Sequence, residues 1–311
     1  MAKKVEVKKA AATVTPINPE AQSLIPLVIY NLYAPTWTAY KRDKKITAEV
    51  KAMNNVADEV KAGSFNKMLL PDCKTLDALK SYMGAVRQWV YERTESWGDA
   101  RGDRVGLAEH VMVNMHEFGD KQEGLKPLKA AFAVEYEAEK ARAELELNEM
   151  FDPDDYPPIE EVLERFQLRL STRPLPNVRD IRVMTEIPAH IRDDIEKQMK
   201  QDFDTAYTAT AKAAFERLLK PVAHMAATLR AYDKGEVKKL YDSVVENVRD
   251  IANMMHMLNI TKNADIDKLA DAAFELVQDI KAADLKESEG TLRSKAAQAE
   301  ALAARIAKFM P

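Results

Sequence analysis

The 311 residues are 46% hydrophobic, 31% charged and only 7% aromatic, with nine glycines and a single cysteine. That length accommodates one large domain or two ordinary ones, and a chain poor in Gly and rich in Ala, Glu, Lys and Leu favours helices over a strand-rich sandwich. The net charge of −4 argues against a whole-protein basic footprint for nucleic acid, and lone Cys73 excludes an internal disulfide framework or a cysteine-based zinc site.

Residues 1 to about 22 are polar, rich in Ala and Lys and without period, which predicts a disordered basic tail. It lacks the hydrophobic run of a secretory signal, and no apolar stretch approaches the roughly 18 residues that span a bilayer. The expected setting is therefore cytoplasmic, with no membrane. "SLIPLVIYNLYAPTWTAYKR" is rich in β-branched and aromatic residues and predicts a strand or extended segment broken at Pro35. In "ITAEVKAMNNVADEVKAG", Ile46, Val50, Met53, Ala57 and Val60 recur at helical spacing, with Gly63 as the stop. After Cys73, read as a small residue near a helix start, Thr75 is the expected cap of a helix striped by Leu76, Leu79, Met83, Val86 and Val90.

"ESWGDARGDRVG" reads as a glycine-dense loop, and "LAEHVMVNMHEF" as a helix that "GDKQEG" interrupts. "LKPLKAAFAVEYEAEKARAELELNEMF" then predicts a long surface helix. The prolines of "DPDDYPP" exclude a helical interior there, and Pro158 suits the first turn of "PIEEVLERF", where the helix dipole favours Glu160 and Glu161. Around 166–184 the period switches to two, through Phe166, Leu168 and Leu170 and then Val178, Ile181 and Val183, which predicts a β-hairpin or paired strands.

A stripe from Ile191 to Leu229, with Thr210 its one polar member, predicts a helix of about 45 residues bent near Arg217 to Pro221 and ended by Gly235. Leu240, Val244, Val248, Ile251, Met255 and Leu258 stripe the next helix, and two further helices complete the chain. The expected fold class is mainly α, with long antiparallel helices, a small β element and one elongated helical domain over 23–311.

From Val134 to Arg165 there are 12 Asp/Glu against 3 Lys/Arg. Asp152, Asp154 and Asp155 are oxygen donors of the kind Mg²⁺ or Ca²⁺ prefers, but "DPDDYPP" lacks the ligand spacing and glycine turn of an EF-type loop. Solvated turns and caps are the reading favoured. An acidic partner-docking surface at Asp152, Asp154, Asp155 and Tyr156 comes second, and a metal or catalytic site last. The five histidines show no i, i+3 or i, i+4 pair, and "MMHML" at Met254 reads as core. "WTAYKRDKK" joins Trp37 to Lys41, Arg42, Lys44 and Lys45 as a weak nucleic-acid signal, weighed against a solvated turn. No phosphate loop, nucleophile elbow or Cys–His signature occurs. No cofactor and no catalytic residue is expected.

The segment "MFDPDDYPPIEEVLERFQLRLSTRPLPNVRDIRV", Met150 to Val183, resembles the domain-of-unknown-function family 3150 of bacteria, prophages and phages. Phe151, Asp155, Tyr156, Pro157, Arg165, Phe166, Pro174, Pro176, Asp180, Arg182 and Val183 carry the likeness, and Ile181 departs from an aromatic there. The similarity extends over roughly residues 28–280. It implies no catalytic residues. It implies a phage-type accessory or adaptor acting through protein contacts beside a MoxR-type AAA ATPase or a von Willebrand A protein, in the bacterial cytoplasm, where self-association is compatible with the chain. A nucleic-acid-associated protein and a virion structural protein are the alternatives.

Overall fold

The computed structural model describes residues 26–57, 59–98, 102–175 and 188–309. It is mainly α with a minor antiparallel β component. The described residues form two compact units. The larger lies within Met1–Asn31, Tyr91–Met112 and Ser171–Pro311, and the smaller within Leu32–Val90 and Val113–Leu170. The expected tail over 1–22 lies outside the described residues. No described helix is long and apolar enough to cross a membrane.

In the larger unit, β1 (Leu27–Tyr33), β4 (Glu95–Ser96), β5 (Asp103–Leu107) and β6 (Arg169–Pro174) form a four-stranded sheet in the order β4-β5-β1-β6, in which β1 and β6 run on into the smaller unit. β1 pairs antiparallel with β5, with Leu27 opposite Leu107 and Ile29 opposite Val105. These four residues and Ile260 make a small core. The expected glycine-dense loop is thus a hairpin, β4 to β5, in which Gly98 (φ 66) and Gly102 (φ 80) take left-handed backbone that only glycine adopts freely. Of the β element expected at 166–184, β6 is present, and the second run lies outside the described residues.

The rest of this unit is a helical bundle: α5 (Ala189–Asp233), α6 (Ser243–Leu258), α7 (Ala264–Val277), α8 (Ala282–Glu287) and α9 (Glu289–Lys308). α5 is one element with Pro221 inside it. Its stripe is buried from Ala206 to Leu229, and Thr210 satisfies its hydroxyl on the Ala206 carbonyl at 2.8 Å, the usual solution for a buried threonine in a helix. Leu218, Val222, Met225 and Leu229 meet Val248, Met255, Leu269, Val277, Leu302 and Ile306 in a core of aliphatic side chains. Each such side chain, fully buried, contributes about 1.5–3 kcal/mol. Met255 is fully buried while His256 points out, so "MMHML" is core as its spacing indicates.

The smaller unit contains β2 (Tyr40–Asp43), α1 (Lys44–Met53), β3 (Phe65–Met68), most of α2 (Lys74–Arg93), most of α3 (Val111–Leu147) and α4 (Ile159–Glu164). α2 buries the predicted stripe, with Cys73 rather than Thr75 at its cap: the Cys73 carbonyl accepts from Asp77 at 3.0 Å. Two expectations need correction. α1 ends at Met53, because Asn54 bonds back to the Val50 carbonyl at 2.8 Å and Asn55 adopts φ 53, so its stripe never reaches Gly63. And "GDKQEG" does not interrupt a helix, since α3 runs through Gly119, Gly124 and Pro127. Gly124 packs against Tyr82, whose hydroxyl donates to the Lys121 carbonyl at 2.9 Å, and a Cβ there would collide with it. The core is aromatic: Phe118, Phe132, Tyr136, Tyr156, Phe166 and Trp37 pack with the α2 stripe.

Candidate protein-interaction surface

The acidic junction before α4 is built as an internal clasp within the smaller unit. Asp152 accepts from the Asp154 backbone N–H at 3.0 Å and so caps the 3-10 turn Pro153–Asp155. β2 pairs with β3 so that Lys41 stands opposite Lys67, a like-charge pair that would repel if left alone. Asp155 resolves this by accepting from Lys67 at 2.8 Å and Lys41 at 3.2 Å. Lys67 is only 6% exposed and also donates to the Met150 carbonyl at 2.5 Å, so its charge is both paired and hydrogen-bonded. Burial alone would push the Asp155 carboxyl up, but the hydrogen bonds from Lys67 and Lys41 outweigh it and hold the group below the usual carboxylate range.

Two tyrosines complete the clasp. Tyr156 is buried and donates to the Leu69 carbonyl at 2.7 Å, while Tyr136 donates to the Pro157 carbonyl at 2.7 Å. Burial pushes both hydroxyls up to about 12, so neither is an acid near neutral pH. Lys140 lies 5.7 Å over the Tyr156 ring. Among the described residues, no three His, Cys, Asp or Glu side chains come together as metal ligands.

The two groups of residues that the sequence offered separately thus meet. Lys41, from the basic cluster, pairs with Asp155, from the acidic one. Tyr156 and Trp37 are both buried, the latter edge-on to Tyr136 at 6.3 Å, which removes Tyr156 from a docking surface and Trp37 from an exposed stacking platform. Asp154, Arg42, Lys44 and Lys45 stay exposed, and Asp43 between them caps α1 by accepting from Ile46 at 2.9 Å.

Sequence reasoning missed the exposed apolar surfaces. Met53 is 81% exposed and Val50 about half, and beside them Val50, Val56, Ala62 and Phe65 line a shallow groove of about 350 Å³. α3 is apolar on two opposite faces. One, through Phe118, Leu125, Phe132, Tyr136 and Ala143, is core. The other, through Ala131, Val134, Ala138, Ala141 and Leu145, is exposed, with Val134 at 83% and Leu145 at 78%. The signal was present as alternating steps of three and four residues, but it overlaps the core stripe. No protein-family model, curated protein or solved structure matches this chain, so the resemblance over Met150 to Val183 stands on its residues alone.

Proposed function

We propose that this protein is a non-enzymatic accessory of phage or prophage type that acts by holding protein partners, as an adaptor for an AAA ATPase of the MoxR type or a von Willebrand A protein. The observation that carries the reading is where apolar surface is left in water. Of fifteen large hydrophobic side chains exposed among the described residues, ten belong to the smaller unit. Isolated exposed apolar residues are ordinary on any protein; concentration of them marks an interaction surface. The residue types fit, since Met, Tyr and Phe are enriched at interface centres. Against a nucleic-acid role, Trp37 is buried and offers no exposed face on which a base could stack.

The test is affinity purification of the tagged full chain from infected or lysogenic cells, with co-purifying proteins identified by mass spectrometry, beside a variant carrying Met53→Asn, Val134→Asn and Leu145→Asn. Stoichiometric recovery of an AAA ATPase or von Willebrand A protein by the natural chain, lost in the variant, supports the reading. Recovery of the chain alone, or equal recovery by the variant, overturns it.

A further inference from the structure

Surface helices of a lone protein carry one apolar stripe, facing their own core. α3 carries a second, and its composition is not explained by helix propensity. Ala131, Ala138 and Ala141 are good helix formers and by themselves carry nothing. Val134 is β-branched and a poor helix former, and Leu145 exposes a large side chain to water, yet both lie on the same line as the alanines. From Ala131 to Leu145 the steps are three, four, three and four, a mean of 3.5, which is the spacing of a two-helix seam and not of a drifting 3.6 stripe. The seam spans about 21 Å.

The charges beside the seam state what would lie on it. Glu137 and Glu144 flank one side and Glu135 the other, all exposed and without an ion-pair partner among the described residues. Arg142, the one cation among the flanking positions, is already engaged by Glu139, by Glu146 at 3.1 Å and by the Pro71 carbonyl at 2.6 Å. The flanks therefore present unopposed negative charge. A second copy laid antiparallel on this face would set Glu137 against Glu144, which coiled-coil pairing penalises, and one laid parallel would offer Glu137 only Arg142, already held within its own helix.

We infer that the outer face of α3 seats an amphipathic helix of a partner protein, with large aliphatic residues at heptad spacing to fill the shallow alanine-lined holes and Lys or Arg on both flanks. This rests on the protein-interaction reading above and names the chemistry of one of its surfaces.

The test uses the full chain and two fluorescein-labelled 21-residue heptad peptides with Leu at the seam positions, one flanked by Lys and one by Glu, read by fluorescence anisotropy. The Lys-flanked peptide binds at least tenfold tighter than the other. The charge-neutral variant Val134→Asn/Leu145→Asn weakens it at least tenfold, with unchanged circular dichroism. The variant Glu135→Lys/Glu137→Lys/Glu144→Lys reverses the preference. Equal binding of the two peptides, binding of neither, or binding that V134N/L145N leaves intact overturns the proposal. So does a self-associating natural chain that V134N/L145N makes monomeric, because a second copy is then the occupant. If the peptides fail while V134N/L145N alone still abolishes recovery of a cellular partner, the adaptor reading survives and only the basic-helix chemistry falls.

Discussion

In the larger unit, α5 to α9 share a core of Leu, Val, Ile and Ala, and its helices are tied at their rims by Arg230 to Glu300, with both bonds at 2.8 Å, and by Arg293 to Asp233 at 2.8 Å. In the smaller unit a core rich in Phe, Tyr and Trp joins short elements, a clasp locks the junction before α4, and apolar side chains remain in water along α3 and α1. The contrast teaches that α5 spends its stripe on its own bundle from Ala206 to Leu229, whereas α3, with two stripes, spends only one of them. The smaller unit is the one that leaves more of its large apolar side chains in water.

The largest effect expected is on the aromatic core. Phe132 is fully buried, with Tyr136 at 5.6 Å and Phe166 at 6.5 Å. Phe132→Ala should cost about 3–5 kcal/mol. Hydrogen-exchange mass spectrometry should show the lost protection concentrated in residues 32–90 and 113–170. Loss spread evenly over both units would break the comparison.

Next comes the clasp. Asp155→Asn leaves the buried Lys67 ammonium without its carboxylate and should cost about 2–3 kcal/mol in urea denaturation. Lys41 is 54% exposed, so Lys41→Ala should cost under about 1 kcal/mol. Equal losses would show that the pair is not asymmetric as its burial indicates.

Acid sharpens the contrast, because one carboxylate in each unit, Asp155 partly buried and Glu95 buried, is shifted in an opposite direction. Asp155 is held below its ordinary value, so its support is complete above the unfolded value of about 3.9 and is lost as pH falls through the lower folded value. In the larger unit Glu95 is held above the ordinary range, because burial outweighs Arg217, at 2.9 Å, and Arg104. The cost of burying its charge is present above the raised folded value and is relieved as pH falls toward about 4.3. An acid titration should therefore loosen the smaller unit first, with Asp155→Asn flattening its response and Glu95→Gln that of the larger unit. Identical pH profiles for the natural chain and both variants would remove this distinction.

The smallest stability effect should be at the α3 seam. Val134→Asn/Leu145→Asn removes exposed side chains and should shift stability by no more than about 0.5 kcal/mol per site. A larger loss in thermal denaturation would mean that these side chains already have a partner within the protein.

Where one periodicity dominates, the sequence was readable. α2 buries the side chains that its spacing predicts, α6 buries Val244, Val248, Met255 and Leu258 of its predicted stripe with Ile251 only partly covered, and Gly235, at φ 75, ends α5 as a left-handed stop. α3 carries poor local propensity at Gly119, Gly124 and Pro127, which locally signals a break, yet the helix runs through all three, and the bare backbone at Gly124 leaves room for the Tyr82 hydroxyl. α1 was read too long because the spacing of Ala57 and Val60 outweighed the turn chemistry of Asn54 and Asn55.

By itself the sequence determined the helical class, the buried stripe of α2, the stripe of α5 from Ala206 to Leu229, and the stop at Gly235. Those depend on neighbours within a few residues, where spacing and backbone sterics suffice. Only the tertiary structure decided that Asp155 answers Lys41 and Lys67, that Tyr156 reaches the Leu69 carbonyl 87 residues away, and that α3 keeps one apolar face bare. A charge pair or a burial is set by what the chain brings through space, and no local period encodes which of two apolar faces will meet the core.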